Sequence, residues 1–206
     1  MNINIGRRFF IGACLLCFVL AGIPSLGSSD TREEVLRHVF PGMEELKEES
    51  TIILKNDSQK IKSLAGIEEI SRIFTYYLVV KSSQVVGYAV FDKAVGKTKD
   101  FYFLVALDTV GAIKMVKILE HRDPHGAGIK NGRFLNQFIG KTIRNPLTVH
   151  SDIQALAGAT ISCKALAQKV KQIVAHLHVV LQLDITLSRT PILHENYISR
   201  RKKYQS

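Results

Sequence analysis

The sequence predicts an α+β domain, with an antiparallel sheet of about four to five strands packed with helices and ending in a long C-terminal amphipathic helix. Three observations lead there. Four segments rich in β-branched and aromatic residues, joined by short turns, fill residues 72–120. Leu166, Val170, Ile173, Val174, Leu177 and Leu181 recur at helical spacing, with Lys164, Gln168, Lys171 and Gln172 on the opposite side. Two helix-like segments precede the strands, and the spacing of the strands suits an antiparallel meander.

Taken in order, residues 30–40 read as a short helix. Asp30 stands at a cap position, Glu33 and Glu34 suit the first turn, Val35, Leu36, Val39 and Phe40 form an apolar side, and Pro41-Gly42 stops it. Residues 56–66 read as a second helix, capped by Asn56 or Asp57, with Ile61, Leu64 and Ala65 inward. Strands follow at 72–80, 85–92, 101–108 and 113–120, in the spacing of a meander. The last of them does not alternate cleanly, because Lys114 and Lys117 break its period. Residues 121–131 hold Pro, small residues and charges and read as a loop, 132–139 as a short helix ending at Gly140, and 147–149 as a short strand. Thr160 opens the long helix.

Composition narrows the function. The chain has 206 residues and a formal charge of +10, and 46% of it is hydrophobic, enough for one sizeable core and too much for global disorder. Residues 1–27 combine Arg7-Arg8, an uncharged apolar stretch from Phe9 to Ile23 and small residues before a cut after Gly27, as in a signal peptide or N-terminal membrane anchor. The protein is thus expected to be exported, to the periplasm or the outer face of the cytoplasmic membrane. Cys14 and Cys17 lie in that segment, leaving Cys163 without an internal disulfide partner. There is no CxxCH and no iron–sulfur spacing, so c-type haem and Cys-bound clusters are excluded. Residues 189–206 form a basic tail, with Arg189, Arg200, Arg201, Lys202 and Lys203 against Glu195. It reads as a solvated terminus or as a contact for an anionic membrane surface. No nucleic-acid-binding motif is present.

The string that carries chemistry is Ala157-Gly158-Ala159-Thr160-Ile161-Ser162. Small residues run straight into a helix N-terminus, where unpaired backbone N–H groups and the helix dipole welcome a phosphate and a bulky partner can approach the threonine hydroxyl. The same residues also read as a plain helix start, with Thr160 or Ser162 as a cap contributing about 1 kcal/mol. Cys163 reads as a buried, inert thiol. His121 and His125 lie in a Pro- and Gly-containing loop, which disfavours a helical metal pair. His176 and His178 are two apart on a helix and read as surface or core-edge residues.

Residues 157–162 resemble the Ser/Thr-Gly-Ala-Thr-x-Ser/Thr motif of FMN-binding domains. Such domains occur in the peripheral flavin subunits of Rnf and sodium-pumping NADH:quinone oxidoreductase complexes and in small exported relatives. The resemblance extends to Val86-Gly87-Tyr88-Ala89, to residues 104–119 around an Asp-x-x-Gly turn, to the loop from Glu120 to Lys130 and to Phe134–Gly140, and covers about residues 72–178. It implies an FMN-binding domain over residues 28–188 with an N-terminal helical extension. It implies FMN on Thr160 through a phosphoester, installed by a flavin transferase, with Ala157, Gly158, Ala159, Ile161 and Ser162 around it. Glu120, His121, Asp123, Gly126 and Gly128 would line the ring or shape its loop.

The implied role is an electron carrier rather than a stand-alone enzyme, working with a membrane redox complex or a quinone or cytochrome partner. This chain departs from the family pattern at Ala157, where Ser or Thr is usual, and at Gln154, where an acid is usual, with Asp152 two residues upstream. Both departures fall in the stretch that the transferase reads. A cofactor-free or sensory module of the same fold and a flavin-dependent reductase with its own substrate are the alternatives.

Overall fold

A computed structural model describes residues 29–123 and 126–183. The leader at 1–27 and the tail at 189–206 lie outside the described residues. The chain forms α1 (Ser29–Val39), β1 (Glu45–Ile52), α2 (Lys55–Ala65), β2 (Ile73–Lys81), β3 (Gln84–Val95), β4 (Asp100–Leu107), β5 (Ile113–His121), α3 (Gly132–Leu135) and α4 (Thr160–Leu181). The five strands make one antiparallel sheet in the order β1-β2-β3-β4-β5. The expected α+β architecture is therefore the observed one.

The pleat of each strand divides apolar residues between two faces. Along β4, Phe101, Phe103, Val105 and Leu107 face the larger core, which α2, α3 and α4 cover. Leu104 and Ala106 face the other side, where α1 and its exit deliver Val35, Leu36, Phe40 and Met43. Helices thus shield both faces. The irregular period of β5 has a physical cause. The β4–β5 register shifts twice, between Tyr102 and Phe103 and between Ala106 and Leu107. Ile113, Val116 and Ile118 consequently face the large core, while Met115 and Leu119 reach the α1 side.

The structure departs from several expectations. β1 is an addition: Glu45–Ile52 is an edge strand whose side chains are mostly exposed, so it has no apolar alternation to read. α2 begins one residue early, after Leu54, and no side chain caps it, so Asn56 and Asp57 lie inside its first turn. Leu64 is partly exposed, leaving Ile61 and Ala65 as the buried contacts. The helix over 132–139 is one α turn tightened into a 3-10 turn at Asn136–Phe138. The strand at 147–149 is a single bridge from Val149 to Ile153. Cys163 is buried, and burial raises its thiol pKa, as fits an inert thiol.

His176 is a further correction. It is only 3% exposed, because α4 turns it onto the large core, where its ring stacks on Phe74 at 4.6 Å. Its Nδ1 meets the Gln172 carbonyl at 2.7 Å, and burial lowers its pKa. The unfolded chain therefore binds a proton that the folded chain resists, so stability falls as pH drops below about 6.5, the unperturbed histidine value. The loss of stability between pH 7 and pH 5, measured by urea unfolding, should be smaller in His176→Phe than in the native chain.

At Gly87 the residue that follows α1, Phe40, packs directly onto the sheet. A methyl group there would overlap the Phe40 ring and come within 2.6 Å of the Leu107 carbonyl oxygen. Gly87→Ala should cost about 1–3 kcal/mol by overpacking, and Phe40→Leu in the same chain should recover part of that loss in urea melts.

Candidate functional site

Three segments distant in sequence meet at one end of the sheet. The first is the start of α4. Gly158 has φ +75°, and the Ala159 amide donates to the Leu156 carbonyl at 3.1 Å, so the chain turns tightly into the helix. Ala159 occupies the N-cap position with φ −127° and ψ 15°, and no side chain caps the helix. Thr160 is therefore the first helical residue and not the cap. The amides of the first turn have no intrahelical acceptor, and the positive end of a 22-residue helix points outward. Thr160 and Ile161 are exposed, and Ser162 is buried.

The second segment is the β3–β4 turn. The Gly96 amide donates to the Lys99 carbonyl at 2.9 Å, closing the turn over Lys97 and Thr98. The third is the loop after β5. Asp123, 4% exposed, accepts hydrogen bonds from the Thr98 amide at 2.7 Å, the Thr98 hydroxyl at 2.9 Å and the Lys99 amide at 3.2 Å. One carboxylate thus fastens the loop to the turn.

Glycines let the segments close on one another. A Cβ on Gly96 would lie 3.0 Å from Asp123 Oδ2 and 3.4 Å from Ser162 Oγ, and one on Gly126, whose φ is +77°, would lie 2.6 Å from Ser162 Oγ. Around this junction opens a pocket of about 230 Å³ lined by Lys97, Gly126 and residues 158–162.

Of the residues singled out in the sequence, Gly158, Ala159, Thr160, Ile161, Ser162 and Gly126 line this pocket. Ala157 is exposed beside it. Gly128 lies behind, where a Cβ would make ordinary 3.6 Å contacts with Ala159 and Leu156. Asp123 sits beneath, with its oxygens engaged by the turn. Glu120 pairs with Arg122, and His121 lies opposite Phe101 on β4 with ring centroids 5.9 Å apart. The Nε2 of His121 is buried and makes no hydrogen bond. Neither Glu120 nor His121 lines the pocket. The Asp152 carboxylate, two residues upstream of Gln154, is engaged within its own loop and by Lys141. It accepts from the Thr148 amide at 2.9 Å and pairs with Lys141 at 2.9 Å, and although burial opposes its charge these partners hold its pKa down.

Sequence reasoning misses Lys97, which lines the pocket together with Thr160, and the Gly96–Lys99 turn that carries it. A Gly-Lys pair between two strands reads as an ordinary connector, and only tertiary structure brings it to the helix.

The pattern that defines the FMN-binding domain matches residues 96–175. It opens on Gly96 and so spans all three segments of the pocket. This stretch belongs to the FMN-binding domain family. Among curated proteins, the FMN-binding stretch and its flanks are similar to one component of the Na(+)-translocating ferredoxin:NAD(+) oxidoreductase complex of Acetobacterium woodii. Identity is 26% over 173 residues, covering 78% of this chain and 82% of that protein. The corresponding component of the proton-translocating ferredoxin:NAD(+) oxidoreductase complex of Clostridium ljungdahlii is 28% identical over 138 residues, covering 63% of this chain and 71% of that one. Among solved structures, NqrC of Shewanella oneidensis aligns with a TM-score of 0.47 at 14% identity, over 86% of this chain and 91% of that one. A component of the Na(+)-translocating NADH-quinone reductase of Parabacteroides distasonis aligns with a TM-score of 0.45 at 13% identity, over 80% and 86%.

If Asp123 holds the two walls of the pocket together, Asp123→Ala should remove the shared acceptor of the Thr98 and Lys99 amides and cost about 1.5–3 kcal/mol, the range for hydrogen bonds to a charged group. Hydrogen exchange should accelerate at Thr98 and Lys99 first, before the strands of the sheet.

Proposed function

We propose that this protein is an exported FMN-binding electron carrier whose flavin is joined by a phosphoester to Thr160. The supporting observation is that exposed Thr160, at a helix N-terminus without a side-chain cap, lines one pocket with Lys97, Gly126 and Gly158. The residues suit a phosphate. First-turn amides donate to its oxygens, the helix end and the Lys97 ammonium offset its charge, and Gly126 and Gly158 leave room for its approach. FMN supplies the redox chemistry; the chain binds it, orients it and limits its exposure to water.

The relatives' names extend the reading. Both curated relatives are parts of ion-translocating oxidoreductase complexes, which supports a partner in a membrane redox complex here. Residues 1–27 would export or anchor the chain, residues 28–188 would form the flavin domain, and the tail at 189–206 would contact an anionic membrane surface. No helix among the described residues is long and apolar enough to cross a membrane. A second reading, a cofactor-free or sensory module, draws support from Ala157, Gln154 and the commitment of Asp152 to Lys141.

Expressed with export and a flavin transferase, the chain should carry one FMN that survives denaturation, and mass spectrometry should place it on the peptide containing Thr160. Flavin on Ser162, or none, would contradict the assignment. Thr160→Ala should abolish attachment yet shift stability by less than about 0.5 kcal/mol, since Thr160 is exposed and is not the cap. Lys97→Glu should lower the flavinylated fraction, whereas Ala157→Ser with Gln154→Asp should raise it.

A further inference from the structure

The sheet forks. Pairing between β2 and β3 ends at Tyr77 and Ala89. Beyond that point β2 continues along β1 as far as Ile52 and Ile73, and β3 continues along β4 as far as Val95 and Asp100. The two arms therefore make no ladder with each other, and α4 crosses beneath the gap. A cleft of about 270 Å³ opens there, with Phe74 on one arm, Asp92 on the other, and Lys169, Gln172 and His176 on α4. An apolar cavity of roughly 150 Å³ holds a benzene ring, so this space admits a two-ring molecule. Thr160 and His176 are sixteen residues apart on α4, about 24 Å at 1.5 Å per residue, so the cleft is separate from the flavin pocket.

Its chemistry is set by His176. Nδ1 faces the Gln172 carbonyl at 2.7 Å, and a carbonyl only accepts, so Nδ1 carries the hydrogen. Burial keeps the ring neutral. Nε2 is then a lone-pair acceptor, and it is the position on the ring left to bind anything else. The ring itself is fixed, stacked on Phe74 at 4.6 Å, and Phe74 in turn stacks on Tyr76 at 5.9 Å. A rigid acceptor beside an aromatic wall selects a flat molecule that brings a donor. Charge adds no strong preference, because Asp92 and Lys169 lie 3.6 Å apart and offset one another.

We propose that the forked cleft is a second ligand site, which takes a small planar aromatic alcohol between the two arms with its hydroxyl donating to His176 Nε2. The site makes no use of Thr160, so it stands or falls independently of the flavin reading.

The test titrates the full chain with 2-naphthol, and with naphthalene as the ring lacking a donor, following both by ligand-observed NMR and calorimetry. 2-Naphthol should bind about tenfold more tightly than naphthalene, the size of one net hydrogen bond. His176→Phe keeps a ring in the stack and removes the acceptor, so it should abolish the difference between the two ligands. Ile73→Trp, at the exposed rim of the cleft, should weaken both while leaving His176 in place. Absence of 2-naphthol binding, equal affinity for the two ligands in the native chain, or an undiminished preference in His176→Phe would overturn the proposal.

Discussion

The candidate site depends on a buried carboxylate. Asp123 accepts three hydrogen bonds from Thr98 and Lys99, and so holds the β3–β4 turn against the loop that follows β5. A buried charge is costly unless its oxygens are satisfied, and here two backbone amides and a hydroxyl satisfy it. Once turn and loop are tied, Gly96 and Gly126 bring them within contact of Ser162, and the start of α4 is pinned between them. The pocket is the space left beside that junction. Its positive character comes from the helix end and Lys97, while the negative charge is buried and engaged by donors of the turn.

This arrangement separates support from chemistry. Ser162 and Asp123 are buried and serve as scaffold, whereas Thr160 and Lys97 are exposed to what enters. The large core behind α4 fixes the helix axis through Cys163, Leu166, Val170 and Ile173, so the exposed first turn rides on a rigid element. The fork between β2 and β3 opens over the same helix. Phe74 on the β1–β2 arm stacks on His176, and Asp92 on the β3–β4 arm pairs with Lys169.

Much of this is legible in the sequence where burial imposes a period. Four strands and the apolar stripe of α4 can be read because each buries one face. β1 cannot, since Glu45–Ile52 lies on the sheet edge and keeps charged side chains on both faces. The 157–162 string marks the start of α4, where Thr160 is the first helical residue and Ala159 holds the cap position. Asp123 reads in the sequence as a residue that lines a flavin ring or shapes its loop, and it ties that loop to the β3–β4 turn; no local pattern reveals its partners at Thr98 and Lys99. Lys97 is invisible for the same reason, because its meaning depends on a contact between segments far apart in the chain. His176 looks peripheral by its spacing from His178, yet a polar ring can lie on a core face when its own helix supplies a carbonyl acceptor.

The central claim is that the first turn of α4 and the Gly96–Lys99 turn together form the seat of a phosphate. A crystal structure of the FMN-loaded protein tests it most directly. The flavin phosphate should be bonded to Thr160 Oγ1, within hydrogen-bond distance of first-turn amides of α4 and of Lys97 Nζ. A flavin phosphate seated elsewhere, with Thr160 and Lys97 open to solvent, would contradict it.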